Sequence, residues 1–345
     1  MLSGLLVALF ATAAVAADSE SAAKSPATGF SLKDDLGQYL DILLDGKIVG
    51  RYMYAHDTSS EAKRVETYKP YLHIFDAEGK APITKGTGGV FPHHRAIFIG
   101  FNKIAFNGKN YDRWHMPGGE IVHQKFTEQK AGPDEATFTS LTNWDSDKGK
   151  PPLLVETRTM TFRRAPAPAR IMVDFTSVLS APNGAVTLSP DPEHSGVQYR
   201  PAAELDTQKT EYVFPKKNAD ARKDLDLPWV GESYTLHGNR YSIVEMNHPQ
   251  NPKGIKYSAY RDYGRFGAFI AKTTIPAGES LTLKFRFLIA EGEMPPTEII
   301  EKCWDDFTGA ASPTAVPPIT TKPAETTAPA KTKAPAKKKP DSAPA

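Results

Sequence analysis

The feature that most limits what this chain can become is its punctuation. From about Phe30 onward, short apolar or alternating runs are cut repeatedly by turn dipeptides. Asp45-Gly46 parts Ile42-Leu43-Leu44 from Ile48-Val49, and Asn107-Gly108 parts Ile104-Ala105-Phe106 from Tyr111. Gly238-Asn239 does similar work between Tyr234-Thr235-Leu236 and Tyr241-Ser242-Ile243-Val244. Asp-Gly and Asn-Gly supply the two successive positive-φ residues that a type I′ hairpin turn requires. Leu281, Leu283, Phe285, Phe287 and Ile289 alternate with Thr282, Lys284, Arg286 and Leu288, so one face of that segment goes to a core. Residues 154–162 and 171–179 are similar in length and rich in β-branched side chains.

These signals predict an all-β fold, a large antiparallel β-sandwich over residues 30–308, with one short C-terminal helix. The helix is placed at 297–307 after Pro295-Pro296, with Ile299, Cys303 and Phe307 on one stripe and Ile300 and Trp304 beside it. Cys303 is then a small buried apolar residue. As the only cysteine it also excludes an intrachain disulfide. No fixed-period repeat is present, which argues against solenoids and propellers.

Both ends differ from this pattern. Residues 1–16 read as a signal peptide, with an apolar run from Leu5 to Phe10 and an Ala14-Val15-Ala16 site cut before Ala17. That run is shorter than the roughly 18 to 20 residues of a membrane span, and no later segment is long and apolar enough to cross one. A periplasmic or extracellular location is expected. Residues 17–29 read as a linker, and residues 309–345 as a disordered Lys/Pro/Ala-rich tail. The tail holds six Lys against Glu325 and Asp341, a net of +4 out of the whole chain's +2, so the rest carries about −2. A slightly acidic domain lacks the clustered basic face that nucleic acid requires. Lys337-Lys338-Lys339 offers a contact for anionic surfaces.

Candidate chemistry lies in the nine histidines between His56 and His248. In Gly88-Gly89-Val90-Phe91-Pro92-His93-His94-Arg95 two imidazoles precede a guanidinium, which suits proton transfer beside an anion clamp. Neighbouring residues on a strand face opposite ways, so both imidazoles can serve one pocket only where the backbone is irregular. Three further clusters mix His, Arg and aromatic residues. They are Tyr111-Asp112-Arg113-Trp114-His115, Glu193-His194-Ser195-Gly196-Val197-Gln198-Tyr199-Arg200, and His248-Pro249-Gln250-Asn251-Pro252 with Tyr260-Arg261-Asp262-Tyr263-Gly264 behind it. Aromatic rings suit the apolar face of a sugar, and charged groups suit its hydroxyls. No histidine pair has i, i+2 or i, i+4 spacing, so no metal site is specified and none is expected. Nucleotide loops and a Gly-x-Ser-x-Gly elbow are absent, and no cofactor is called for.

Over residues 41–293 the chain resembles the secreted bacterial family labelled methane oxygenase PmoA. The likeness is carried by Lys69-Pro70-Tyr71-Leu72-His73, Phe91-Pro92-His93-His94-Arg95, Gly119-Glu120-Ile121-Val122-His123, His248-Pro249-Gln250-Asn251-Pro252 and Arg261-Asp262-Tyr263-Gly264. Many relatives carry a further His where this chain has Phe91. The label conflicts with the chain's physics, because a particulate methane oxygenase subunit spans the membrane several times. The resemblance implies a large β-sandwich akin to the galactose-mutarotase and polysaccharide-lyase supersandwich.

The expected function is a carbohydrate-active lyase, hydrolase or epimerase with a sugar or glycan ligand. His94, His248, His115 and His194 are the candidate acid/base residues, and Arg95, Trp114, Tyr199, Arg200, Arg261 and Tyr263 the candidate substrate contacts. The expectation is that His94, Arg95, His115, His194, Arg200, His248 and Arg261 meet at one mouth, with Trp114 and Tyr199 as a stacking platform. A glycan-binding module without catalysis and a metal-dependent oxidase are the alternatives.

Overall fold

In the computed structural model, residues 28–309 and 320–326 are described. The signal peptide, most of the linker and most of the tail expected from sequence lie outside them. Strands dominate. A nine-stranded antiparallel sheet runs in the order Thr320–Pro323, Glu211–Phe214, Trp229–Leu236, Asn239–Asn247, Ser280–Glu291, Ala169–Ser180, Leu154–Arg164, Glu135–Trp144, Ile121–Ala131. An eight-stranded sheet has the order Phe30–Asp35, Tyr39–Leu44, Lys47–Met53, Tyr71–Ile74, Ile97–Phe101, Ser195–Tyr199, Phe266–Phe269, Lys256–Ser258. A small four-stranded sheet joins Thr273–Ile275, Val186–Leu188, Ile104–Phe106 and Lys109–Tyr111. The architecture is a large antiparallel β-sandwich.

The hairpin dipeptides act where positive φ is required: Asp45 and Gly46 have φ 51° and 79°, and Asn107 and Gly108 have 48° and 75°. The third turn is shifted by one residue. His237 and Gly238 take the positive angles, at 51° and 85°, and Asn239 begins the next strand.

Period-two alternation decides what each sheet buries. Leu283, Phe285, Phe287 and Ile289 join the central core together with Phe138, Met160, Phe175, Leu40, Ile42 and Ile99. Leu288 and Ala290, on the opposite face of the same strand, pack instead with Ile300 and Cys303 of the helix Thr297–Thr308. Burial there pushes the Cys303 thiol up to about 11, so the residue is an apolar filler. The close approach of the two sheets is visible at Gly50, where a Cβ would lie 2.8 Å from the Phe162 ring.

The outer face of the eight-stranded sheet carries a second, smaller apolar cluster. Leu72, Ile97 and Ile99 take the core side, which turns Tyr71 and Phe98 outward, where they meet Ala96, Trp114 and Met53. This patch floors the candidate site.

Two features escaped the sequence reading. A helix Glu61–Thr67 is capped by the Ser60 hydroxyl, which accepts from the Lys63 N–H. Part of the expected disordered tail is an edge strand: Thr320–Pro323 pairs with Glu211–Phe214, Glu325 N–H donates to the Tyr260 carbonyl at 2.9 Å, and Arg222 pairs with the Glu325 carboxylate. Backbone hydrogen bonding, which composition cannot register, holds this segment.

Candidate functional site

The segment from Gly86 to Arg95 leaves regular strand geometry, and Phe91 adopts φ 58°, unusual for an aromatic residue. The turn closes with His94 N–H donating to the Phe91 carbonyl at 3.0 Å. This irregularity lets consecutive imidazoles converge: the His93 and His94 rings are 4.5 Å apart. His115 lies 4.6 Å from His93, and His194 lies 4.8 Å from His115. Four histidines from three distant segments therefore form one chain of rings. Trp114 sits beneath it, 6.0 Å from His94 and 5.6 Å from His194.

The two outermost imidazoles share one local design. Asp112 accepts the backbone N–H groups of Trp114 and His115, each at 2.8 Å, and its other oxygen is 2.8 Å from His115 Nδ1. Asp191 accepts the Glu193 N–H at 3.0 Å and lies 2.6 Å from His194 Nδ1, while its second oxygen receives the Asn102 amide at 2.6 Å. Burial pushes both carboxyls up, but these donated hydrogen bonds outweigh it and leave each below the usual carboxylate range. An ionised carboxylate can only accept, so Nδ1 is the donor and Nε2 carries the free lone pair. His115 and His194 are partly open to solvent, with 38% and 27% of their side chains exposed.

Behind them the surroundings turn dry. Burial, followed by the neighbouring Lys69, His115 and His194, lowers His93 to about 2. Burial, followed by His93 and Arg200, holds His94 well below the normal imidazole range. Both are neutral. Neither nitrogen of His94 has a hydrogen-bond partner, nor has Trp114 Nε1. Lys69 is buried, its Nζ donating to the Trp114 carbonyl at 3.1 Å and lying 4.3 Å from the Phe98 ring centre. Burial, then the charge of Arg95, drives its pKa well down.

The other expected contacts do different jobs. Arg95 is fully buried and donates to the carbonyls of Pro92 and Val65, which fixes the loop instead of clamping an anion. Arg200, also buried, donates to the Tyr263 carbonyl and stacks 4.9 Å from that ring. Tyr263 does reach the cluster, 5.1 Å from Phe91 and 6.4 Å from His94. Arg261 is tied to Glu193 at 2.8 and 2.9 Å, as is Arg265 at 3.1 Å, so it anchors the loop that carries His194. Tyr199 was expected to be a stacking surface, but it points into the central core, its hydroxyl 2.7 Å from that of Tyr234. Trp114 has no exposed surface and serves as floor.

His248 does not join the group. It packs edge-on to Phe307 at 5.1 Å and lines a separate cleft with Arg163, Asp174, Arg286 and Asp306. The expected single mouth thus holds His94, His115, His194 and Tyr263, with Arg95, Arg200 and Arg261 as supports, and excludes His248 and Tyr199. Residues missed from sequence are Asp112 and Asp191, although a signal was present: Asp-x-x-His occurs at both 112–115 and 191–194. His93 is not among the candidate site residues, and it joins the cluster through the exception that strand alternation leaves open, an irregular backbone.

Among the described residues no group of three or more His, Cys, Asp or Glu side chains is arranged to hold a metal ion, and no helix is long and apolar enough to cross a membrane.

No curated protein matches the chain. Similar solved structures include a galactose mutarotase-like protein from Clostridium acetobutylicum, at 7% identity and a TM-score of 0.35, covering 77% of this chain and 99% of that one. A galactose mutarotase related enzyme from Lactobacillus acidophilus matches at 10% identity and a TM-score of 0.33, covering 77% and 100%. A polysaccharide lyase matches at 10% identity and a TM-score of 0.28, covering 81% of this chain and 34% of that one. Likenesses this remote carry no argument, and the fold stands on the strand order above. A sequence-family match is broader, though it lends the methane oxygenase label no support. It covers residues 39–305, and the chain belongs to that family, DUF6807, a family of unknown function.

Proposed function

We propose that this protein is a carbohydrate-active enzyme, exported from the cell, that moves protons on a sugar with His115 and His194. The observation that carries this reading is the pair of carboxylate-held imidazoles, 4.8 Å apart and open to solvent. Each Asp fixes its ring's tautomer and stabilises the imidazolium that forms when Nε2 takes a proton, the role an orienting carboxylate plays behind any histidine base. A hydroxylated ligand placed over both rings would give a proton to the Nε2 of a neutral ring, and would receive one from the other ring when that ring enters the cycle already protonated at Nε2 as imidazolium. Such exchange serves epimerisation, elimination or hydrolysis.

His93 and His94 are neutral and desolvated, so they support the wall of the site by accepting or donating hydrogen bonds without a charge change. Tyr263 and Phe91 supply apolar surface beside them. The test is a glycan screen that records both binding and product formation on the chain beginning at Ala17. Turnover lost in His115→Gln or His194→Gln supports the proposal. Binding without any product would make the protein a glycan-binding module, and no binding to any carbohydrate would refute the reading.

A further inference from the structure

We infer that the substrate is an extended glycan chain, not a free single sugar, and that its further units lie in the cleft beside the helix Glu61–Thr67. This rests on the proposed carbohydrate reading of the histidine cluster. The cleft is lined by Gln38, His56, Asp57, Glu66, Tyr71 and Thr87, with Lys69 in its wall. His56 is one of the nine histidines, and Lys69 and Tyr71 lie in a stretch that carries the family resemblance, but the sequence assigns none of the cleft residues a role.

Three observations join this cleft to the histidines. First, the floor is shared: Met53 and Tyr71 of the cleft belong to the same apolar patch as Phe98 and Trp114 beneath the imidazoles. Second, the wall is shared. Lys69 lines the cleft while its Nζ bonds to Trp114, and the loop that presents Thr87 to the cleft continues through Phe91 to His93 and His94. Tyr68 fastens that loop by donating to the Pro92 carbonyl at 3.0 Å. Third, the rim is apolar where a chain would cross it. The exposed large hydrophobic residues of the described structure are Leu36, Val90 and Leu225, and the first two border this path. Leu36 is 83% exposed next to Gly37 of the cleft, and Val90 is 72% exposed between Thr87 and Phe91.

Exposed aliphatic side chains above a polar trough match the two sides of a pyranose, whose C–H face seeks apolar contact and whose hydroxyls seek acceptors and donors. The trough offers both kinds of partner in His56, Asp57, Glu66 and Gln38. The Asp57, Lys63 and Glu66 side chains in its lining do not suit a lipid tail.

The experiment compares single sugars, disaccharides and hexasaccharides from a β-1,4-glucan, a β-1,4-xylan and a polygalacturonate, with the full chain and with Leu36→Ser, Val90→Ser and Gln38→Ala. All three positions are exposed, so folding should be unaffected. For the glycan that is turned over, KM should fall roughly tenfold or more from disaccharide to hexasaccharide. The substitutions should raise the hexasaccharide KM about five- to tenfold, leaving disaccharide turnover unchanged. Equal KM at every length, or variants indistinguishable from the parent on the hexasaccharide, would overturn the inference and leave the histidine reading standing. No interaction with any carbohydrate would remove both.

Discussion

Glu156→Gln should be among the most damaging single substitutions in this protein. Glu156 and Arg158 are 0% and 1% exposed, and the carboxylate receives Arg158 Nε at 2.9 Å, Arg158 Nη2 at 2.7 Å, Trp144 Nε1 at 2.8 Å and the Ser177 hydroxyl at 2.8 Å. Burial alone would raise the Glu156 pKa, yet the charge of Arg158 and these donors bring it below the usual value, so the pair is ionised. Substitution by Gln leaves the Arg158 guanidinium buried without a countercharge, which costs about 3 to 5 kcal/mol. At roughly 2 to 4 °C per kcal/mol for a domain of this size, the melting temperature should fall by about 6 to 20 °C. Arg158 Nη1 also reaches the Pro70 carbonyl at 3.4 Å, between Lys69 and Tyr71, so the loss should loosen the floor of the cleft. Glu156→Leu with Arg158→Met removes both charges at similar volume and should recover most of the stability. Thermal and urea unfolding of the three proteins would check this. A Glu156→Gln cost below about 1 kcal/mol, or a double variant worse than the single, would refute the reasoning.

Ending the chain at residue 309 rather than 326 should cost about 1 to 3 kcal/mol in urea unfolding, because the Thr320–Pro323 strand and the bonds of Glu325 are lost from a sheet edge. Equal stability of the two would show that this strand contributes nothing. Acidification should also destabilise the fold. His73 and His123 are lowered by burial to about 4, and His93 and His94 lie lower still, so between pH 6.5 and about 5 the unfolded chain binds protons that the folded chain does not. Stability therefore falls as pH drops, by at most about 1.4 kcal/mol per pH unit for each group. Glu232, Glu245, Asp145 and Glu301, whose pKa values are raised by desolvation, pull the other way, while His248, lowered by burial, adds to the imidazoles, leaving five imidazoles against four carboxyls. A melting temperature that rises from pH 6.5 to 5 would contradict this balance.

Much of the fold was legible because strands announce themselves locally. The Leu281 to Ile289 alternation and the Asp45-Gly46 and Asn107-Gly108 turns needed only neighbouring residues to be recognised. The edge strand Thr320–Pro323 was not, since its stability comes from the backbone of Glu211–Phe214 and not from its own Thr-Lys-Pro composition. The site was legible as a set of histidine-rich loops but not as a set of roles. Which of His94, His115, His194 and His248 share a surface is decided by sheet order, which brings the 91–95, 112–115 and 191–194 loops together and leaves residue 248 beside the C-terminal helix. Tyr199 looked available beside Arg200 because the sequence does not say which face of Ser195–Tyr199 meets the core.

The central claim is that His115 and His194 act as one proton-transfer unit, and kcat/KM of His115→Gln, His194→Gln and the double variant tests it most directly. On the glycan found by screening, each single substitution should lower kcat/KM by about 10² or more, and the double should cost little beyond the worse single, as for groups that work together. Melting temperatures should stay within a few degrees, because both side chains are partly exposed. Full turnover in both single variants, or activity lost only in step with stability, would contradict the account.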